Sequence, residues 1–205
     1  MPSWESTEWT RIGWSDPQNN KRILLIGDSI TNGYFQYVAR EFESEYSVGY
    51  HVSSKAIDNI YLFKEIENTV NEFGRDTVKV VHINNGIHGV WHLKEDAVRV
   101  CYEHFIISLR EILPDARFII ATSTPIRKAG DDKEYVYDKF NANLVRNNAI
   151  IAEIGHKYGI TVEDLYAVAD GKCEYGCGDG VHFNDAGYRA LAETVKKSIR
   201  DELTK

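Results

Sequence analysis

The first clear block of pattern along the chain is Ile23, Leu24, Leu25 and Ile26, four apolar residues in succession. A run of that length, ended by Gly27-Asp28-Ser29, predicts a short parallel strand covered on both faces. Phe35, Val38, Ala39 and Phe42 then recur at helical spacing, so the chain passes straight from strand to helix with Asp28 or Ser29 as the cap. Further strands are expected at 47–52, 77–83, 118–121 and 159–162. Helices are expected at 60–73 (a stripe of Ile60, Phe63, Ile66 and Val70), at 94–113, closed by Pro114, and at 135–158 and 184–203. Strands alternating with helices of this length mean α/β architecture, a five-stranded parallel sheet with helices on both faces.

Ligands of such sheets bind at the carboxyl ends of the strands. Ser29, the loop containing Ala56, the loop Asn84-Asn85-Gly86-Ile87-His88-Gly89 and Thr122-Ser123-Thr124-Pro125 all follow strands, so they converge on one rim. The segment after Pro125 is charged through Lys133 and reads as a mobile loop. No repeat, low-complexity tract or linker interrupts the pattern.

Composition narrows the reading. The chain has 205 residues, 43% hydrophobic and 12% aromatic, which suits one domain with a real core. We assign residues 21–205 to that domain and 1–20 to an arm. The arm carries three of the four tryptophans, Trp4, Trp9 and Trp14. Indoles at a terminus serve either to pin it onto the body or to offer a platform for a sugar ring or partner, and pinning is the simpler use. The net charge of −7, spread along the chain, provides no basic stripe for nucleic acid. No apolar run approaches the length of a membrane span, and the first residues lack a signal-peptide pattern. A soluble, cytoplasmic protein without membrane insertion is expected, with self-association left open. Cys101, Cys173 and Cys177 are too few for a disulfide framework and agree with a reducing compartment.

Two stretches carry candidate chemistry. Ser29 sits where a helix begins, and exposed N–H groups there favour negative charge. Near the other end, Asp179-Gly180-Val181-His182 puts a carboxylate three residues before an imidazole, close enough for the Asp to hold the tautomer of the His. Together they supply a nucleophile, a base and an orienter. Either stretch alone also fits a plain helix cap or a structural histidine.

Gly27-Asp28-Ser29-Ile30 after a first strand, combined with Asp179-Gly180-Val181-His182-Phe183-Asn184 before a last helix, resembles the SGNH/GDSL hydrolase family of esterases and lipases. The resemblance runs from about Lys21 to Lys205. It implies a flavodoxin-like three-layer α/β/α sandwich, with Ser29 as nucleophile and Asp179 and His182 completing the triad. It also implies an oxyanion hole built from the Ser29 amide, the amide of the residue matching a family glycine, here Ala56, and a side chain at the position of a family asparagine, here His88. Both replacements are departures from the family pattern. Alanine keeps the N–H, and a neutral imidazole has one N–H to donate. Asn85 or Asn84 is the alternative donor in that loop.

The resemblance implies a serine esterase that needs no cofactor, acting on a small-molecule or oligosaccharide ester. We expect a short acyl group, acetyl first, on a carbohydrate, with Asp28 and Trp91 contacting substrate. A lysophospholipase or thioesterase of the same fold is the alternative enzyme, and a non-hydrolytic binding protein the alternative outside catalysis. His82, His88 and His92 lack a carboxylate or cysteine to complete a metal shell. Cys173 and Cys177 do not have the spacing of a common redox or zinc motif and read as reduced thiols.

Overall fold

The computed structural model describes residues 8–130 and 134–205. Trp4 of the arm lies outside them, as do the last residues of the loop expected to be mobile. The chain folds as an α/β sandwich around a central, mostly parallel sheet. Strands β1 (Thr10–Trp14), β2 (Arg22–Gly27), β3 (Ser47–Ser53), β4 (Val78–Asn84), β5 (Arg117–Ala121) and β6 (Thr161–Glu163) lie in the order β1-β3-β2-β4-β5-β6. The expected helices are α1 (Ser29–Phe42), α2 (Ile60–Phe73), α3 (Glu95–Ile112), α4 (Asn141–Tyr158) and α6 (Asp185–Leu203), with a short α5 (Leu165–Ala169) between the last two.

Strand β2 occupies the middle of the sheet, parallel to both β3 and β4, and its two faces feed two cores. Leu24 and Ile26 pack with α2, α3 and α4, while Ile23 and Leu25 pack with α1 and α6. All four are fully buried, which is why they form an uninterrupted apolar run. Each such side chain contributes about 1.5–3 kcal/mol through burial.

The sheet has six strands rather than the expected five. The added one is Thr10–Trp14 from the arm, paired antiparallel with β3 at the sheet edge. An edge strand has one ladder partner and keeps its side chains partly wet, as with the 46% exposed Ile12, so it leaves no apolar run to read. Trp14 packs edge-on against Phe73 and beneath the Arg22 guanidinium, pinning the arm. Helix α4 also begins six residues later than expected. Asp138 intervenes: its N–H donates to the Ile126 carbonyl and its carboxylate accepts the Phe140 N–H, holding the preceding segment as a turn against the loop after β5.

One buried polar group sits between β3 and α2. The His51 side chain is inaccessible, 3.0 Å from Thr69 Oγ1 and 3.8 Å from Glu65. Burial holds its imidazole down at about 4; Glu65 opposes this and the Lys55 charge adds to it. Between pH 6.5 and 4 the unfolded chain takes up a proton that folded His51 refuses. Its contribution is therefore complete above pH 6.5 and lost as the pH falls to 4, by about 3 kcal/mol. In urea unfolding at pH 7 and pH 4.5, His51→Gln is expected to lose less stability on acidification than wild type; equal losses would remove His51 as the source.

Candidate active site

The strand-to-helix turn after β2 leaves no room for a side chain at Gly27, where a Cβ would fall 2.5 Å from the Asn84 carbonyl of β4. Asp28 then caps α1, its Oδ1 accepting the Ile30 N–H at 2.9 Å. Ser29, the first residue of α1, is thereby relieved of capping, and its hydroxyl is partly exposed at the carboxyl end of the sheet.

That hydroxyl meets the loop before α6. His182 Nε2 lies 2.8 Å from Ser29 Oγ, and His182 Nδ1 lies 2.6 Å from Asp179 Oδ2. An ionised carboxylate only accepts, so Nδ1 carries the proton, and Nε2 of a neutral ring is left to accept from the serine. Asp179 Oδ1 accepts the backbone N–H groups of Val181 and His182 at 2.9 and 2.8 Å, which folds the loop so that carboxylate and imidazole face each other. Partial burial pushes the Asp179 carboxyl up. The hydrogen bonds from the His182 ring and from the two amides outweigh that and bring it down to about 2.

The loop is braced from the segment after β5. The Arg127 N–H donates to the Gly180 carbonyl at 2.8 Å, its guanidinium reaches the His182 carbonyl at 3.4 Å, and the Gly130 N–H donates to Gly178. Gly180 has φ +84°, and a Cβ there would stand 2.3 Å from the Arg127 carbonyl, so this turn requires glycine. Asn184 caps α6 through Gly187 and donates to the carbonyls of Glu174 and Gly176, fixing the loop's other flank.

The remaining expected site residues divide. Ala56 lies in the loop after β3, and His88 in the loop after β4; both are 8% exposed. Trp91 is partly buried, its ring 6.4 Å from that of His88 and 6.2 Å from that of Phe140, and it packs on the same small cluster of Val90, Ile126 and Leu144 as Val181 of the Asp179–His182 loop. Asp28 does not meet the expectation of substrate contact. It is fully buried and serves as a cap, and burial raises its carboxyl against the opposing influence of His88, the Ile30 amide and His182. Asn85 is also corrected as an oxyanion donor: it is 1% exposed, and its Nδ2 donates to the Lys55 carbonyl at 3.1 Å. Asn84 is equally buried and lies beside Tyr34.

The other histidines are engaged elsewhere, His82 with Glu163 at 2.8 Å and His92 with Asp58 at 3.0 Å. Among the described residues, no three or more His, Cys, Asp or Glu side chains are grouped to hold a metal ion, and Cys101 and Cys173 are in no disulfide. No helix among the described residues is long and apolar enough to cross a membrane. Sequence reasoning missed Arg127, which carries no local signal, and Asn184 as a brace, although an Asn directly before a helix is an N-cap signature.

Residues 25–190 match the profile of the GDSL-like lipase/acylhydrolase family. The chain belongs to that family. Acylhydrolases of this kind cleave carboxylic esters, and the match spans both Ser29 and His182. No curated protein matches the chain by sequence. Among solved structures, the acetylxylan esterase Axe2 from Geobacillus stearothermophilus is similar over 88% of this chain and 94% of its own, with a TM-score of 0.67 and 17% identity. LAE5, an alpha/beta hydrolase from the metagenome of Lake Arreo, gives 0.69 at 14% identity, covering 87% of this chain and 94% of its own. A GDSL-like lipase from Bacteroides thetaiotaomicron gives 0.66 at 19% identity, covering 89% of each chain. These likenesses establish a shared GDSL-hydrolase fold.

Proposed function

We propose that this GDSL acylhydrolase is a serine esterase that removes short acyl groups, acetyl first, from carbohydrate esters. The observation that carries it is the hydrogen-bonded chain Ser29–His182–Asp179 at the carboxyl end of the sheet. Ser29 Oγ attacks the ester carbonyl while His182 Nε2 takes its proton. The resulting oxyanion is held by the Ser29 and Ala56 amides and by His88. As the tetrahedral intermediate collapses, His182 returns the proton to the departing alcohol and leaves an acyl-enzyme; water, deprotonated by the same nitrogen, then releases the acid. Asp179 stays ionised throughout and stabilises the imidazolium.

The acetyl preference is supported by the resemblance in fold to an acetylxylan esterase and by Trp91, packed on the same small cluster as Val181 of the triad loop, an indole of the kind that stacks on sugar rings. A second reading, a longer acyl chain as in a lysophospholipase or thioesterase, is favoured by one feature. A pocket of about 410 Å³ between α2 and α3 is lined by the apolar Ile57, Ile60, Phe63, Val100 and Phe105 together with the polar Asp58, Asn59, Cys101 and His104, and Ile57 directly follows Ala56 in the chain. Initial rates on p-nitrophenyl acetate, butyrate and octanoate separate the two. We expect acetate to give the highest kcat/KM, with acetylated oligosaccharides as good substrates; a rise toward octanoate would transfer the assignment to the longer chain.

A further inference from the structure

The peptide linking Lys55 to Ala56 is gripped from two sides. On its carbonyl, Asn85 donates from β4's loop at 3.1 Å. Because a trans peptide is planar, with C=O and N–H pointing in opposite directions, fixing the Lys55 carbonyl fixes the direction of the Ala56 N–H. The Lys55 side chain turns into the protein instead of toward solvent and is 8% exposed. Its ammonium lies 3.2 Å from Glu65 of α2, 3.1 Å from Thr10 Oγ1 of β1 and 4.0 Å from Glu8, while Thr10 donates to Glu65 at 3.0 Å. The backbone is tied alongside: Ser54 donates to the Trp9 carbonyl, Trp9 to Ser54 Oγ, and Lys55 to Ser53 Oγ.

A buried ammonium is costly unless it is well paired, and an apolar residue would fill the same space more cheaply. What the ammonium adds is direction. It ties the Lys55 side chain to both the edge strand and α2 while Asn85 ties the carbonyl of the same residue. Resting on the esterase reading above, we propose that Lys55 and Asn85 are positioning residues that aim the Ala56 N–H at the oxyanion, so that the amino-terminal strand β1 is part of the catalytic apparatus through Thr10. Neither side chain touches substrate. A misdirected N–H stabilises the transition state less while leaving ground-state binding alone.

Lys55→Met keeps the apolar stem and removes the charge. Rates are read well below the melting temperature and normalised to folded protein. With p-nitrophenyl acetate, kcat is expected to fall about 10- to 100-fold at unchanged KM. The affinity for a boronic acid, whose tetrahedral adduct on Ser29 places an oxygen in the same hole, is expected to weaken in parallel. Lys55→Arg, which keeps charge and donors, should recover most of both losses, and Asn85→Leu should reproduce the Met phenotype without touching the ammonium. A normal kcat in Lys55→Met, or a fall in kcat with boronate affinity intact, overturns the proposal. Ser29→Ala, run in parallel, separates the two levels: if it is inactive, such a result counts against the positioning role alone, whereas turnover surviving in Ser29→Ala overturns the nucleophile assignment and this proposal with it.

Discussion

Replacing Ser29 with alanine is expected to lower kcat by on the order of 10⁴-fold or more, and adding His182→Ala to that variant is expected to cost almost nothing further. Both expectations follow from one contact, the 2.8 Å hydrogen bond between Ser29 Oγ and His182 Nε2. A nucleophile without its base and a base without its nucleophile are equally unable to complete acylation, so the two losses cannot add. The test is clean because Ser29 has no structural duty at the turn. The cap of α1 is Asp28, which satisfies the Ile30 N–H, and alanine at the first helical position leaves that bond in place. Circular dichroism and the unfolding midpoint should therefore match wild type while turnover collapses. Steady-state rates on p-nitrophenyl acetate for the two single variants and the double variant read the outcome. Additive losses would mean that serine and histidine act in separate steps, and near-normal turnover in Ser29→Ala would move the chemistry away from this turn altogether.

Much of the fold could be read in advance because its signals are local. Strand β2 announces itself through four consecutive buried apolar residues; the helical spacing located α2, but its buried face is Leu62, Ile66, Thr69 and Val70, and Ile60 of the expected stripe is 79% exposed. Strand β1 does not, since an edge strand tied to a single neighbour needs no apolar face. The start of α4 was misjudged because Asp138 makes bonds on both sides that compete with helix formation, a choice decided by contact with Ile126. The site divides in the same way. Ser29 depends on a strand-to-helix turn, and Asp179 and His182 on a turn closed within three residues, so all three were visible. Arg127, Lys55 and Asn85 act across 55, 45 and 30 residues of sequence, and nothing in their neighbourhoods reports those partners. For Asn85 the burial was invisible as well, which is why it read as an oxyanion donor. Asp28 misled for a related reason: a carboxylate next to a nucleophile looks available to substrate until its burial and its bond to Ile30 are seen.

Exchanging Asp179 for asparagine is expected to lower kcat by about 10⁴-fold while leaving the loop intact. The carboxylate has two separable tasks. Oδ1 accepts the Val181 and His182 amides and shapes the turn, while Oδ2 accepts Nδ1–H of His182. An asparagine carbonyl performs the first task unchanged. Its NH₂ then faces Nδ1 and donates, which drives the imidazole proton to Nε2, the nitrogen that in the proposed mechanism takes the proton from Ser29. The folded state is spared and the tautomer is wrong. The pH profile gives a second, independent reading. With its carboxyl held at about 2, Asp179 is ionised across the whole range in which activity is measurable. The acid limb of kcat/KM in the wild type should therefore show no break from this carboxylate. A limb of slope two would place a second titrating group in the mechanism. A loss of less than tenfold in Asp179→Asn would restrict Asp179 to shaping the turn and leave His182 to act without an orienting charge.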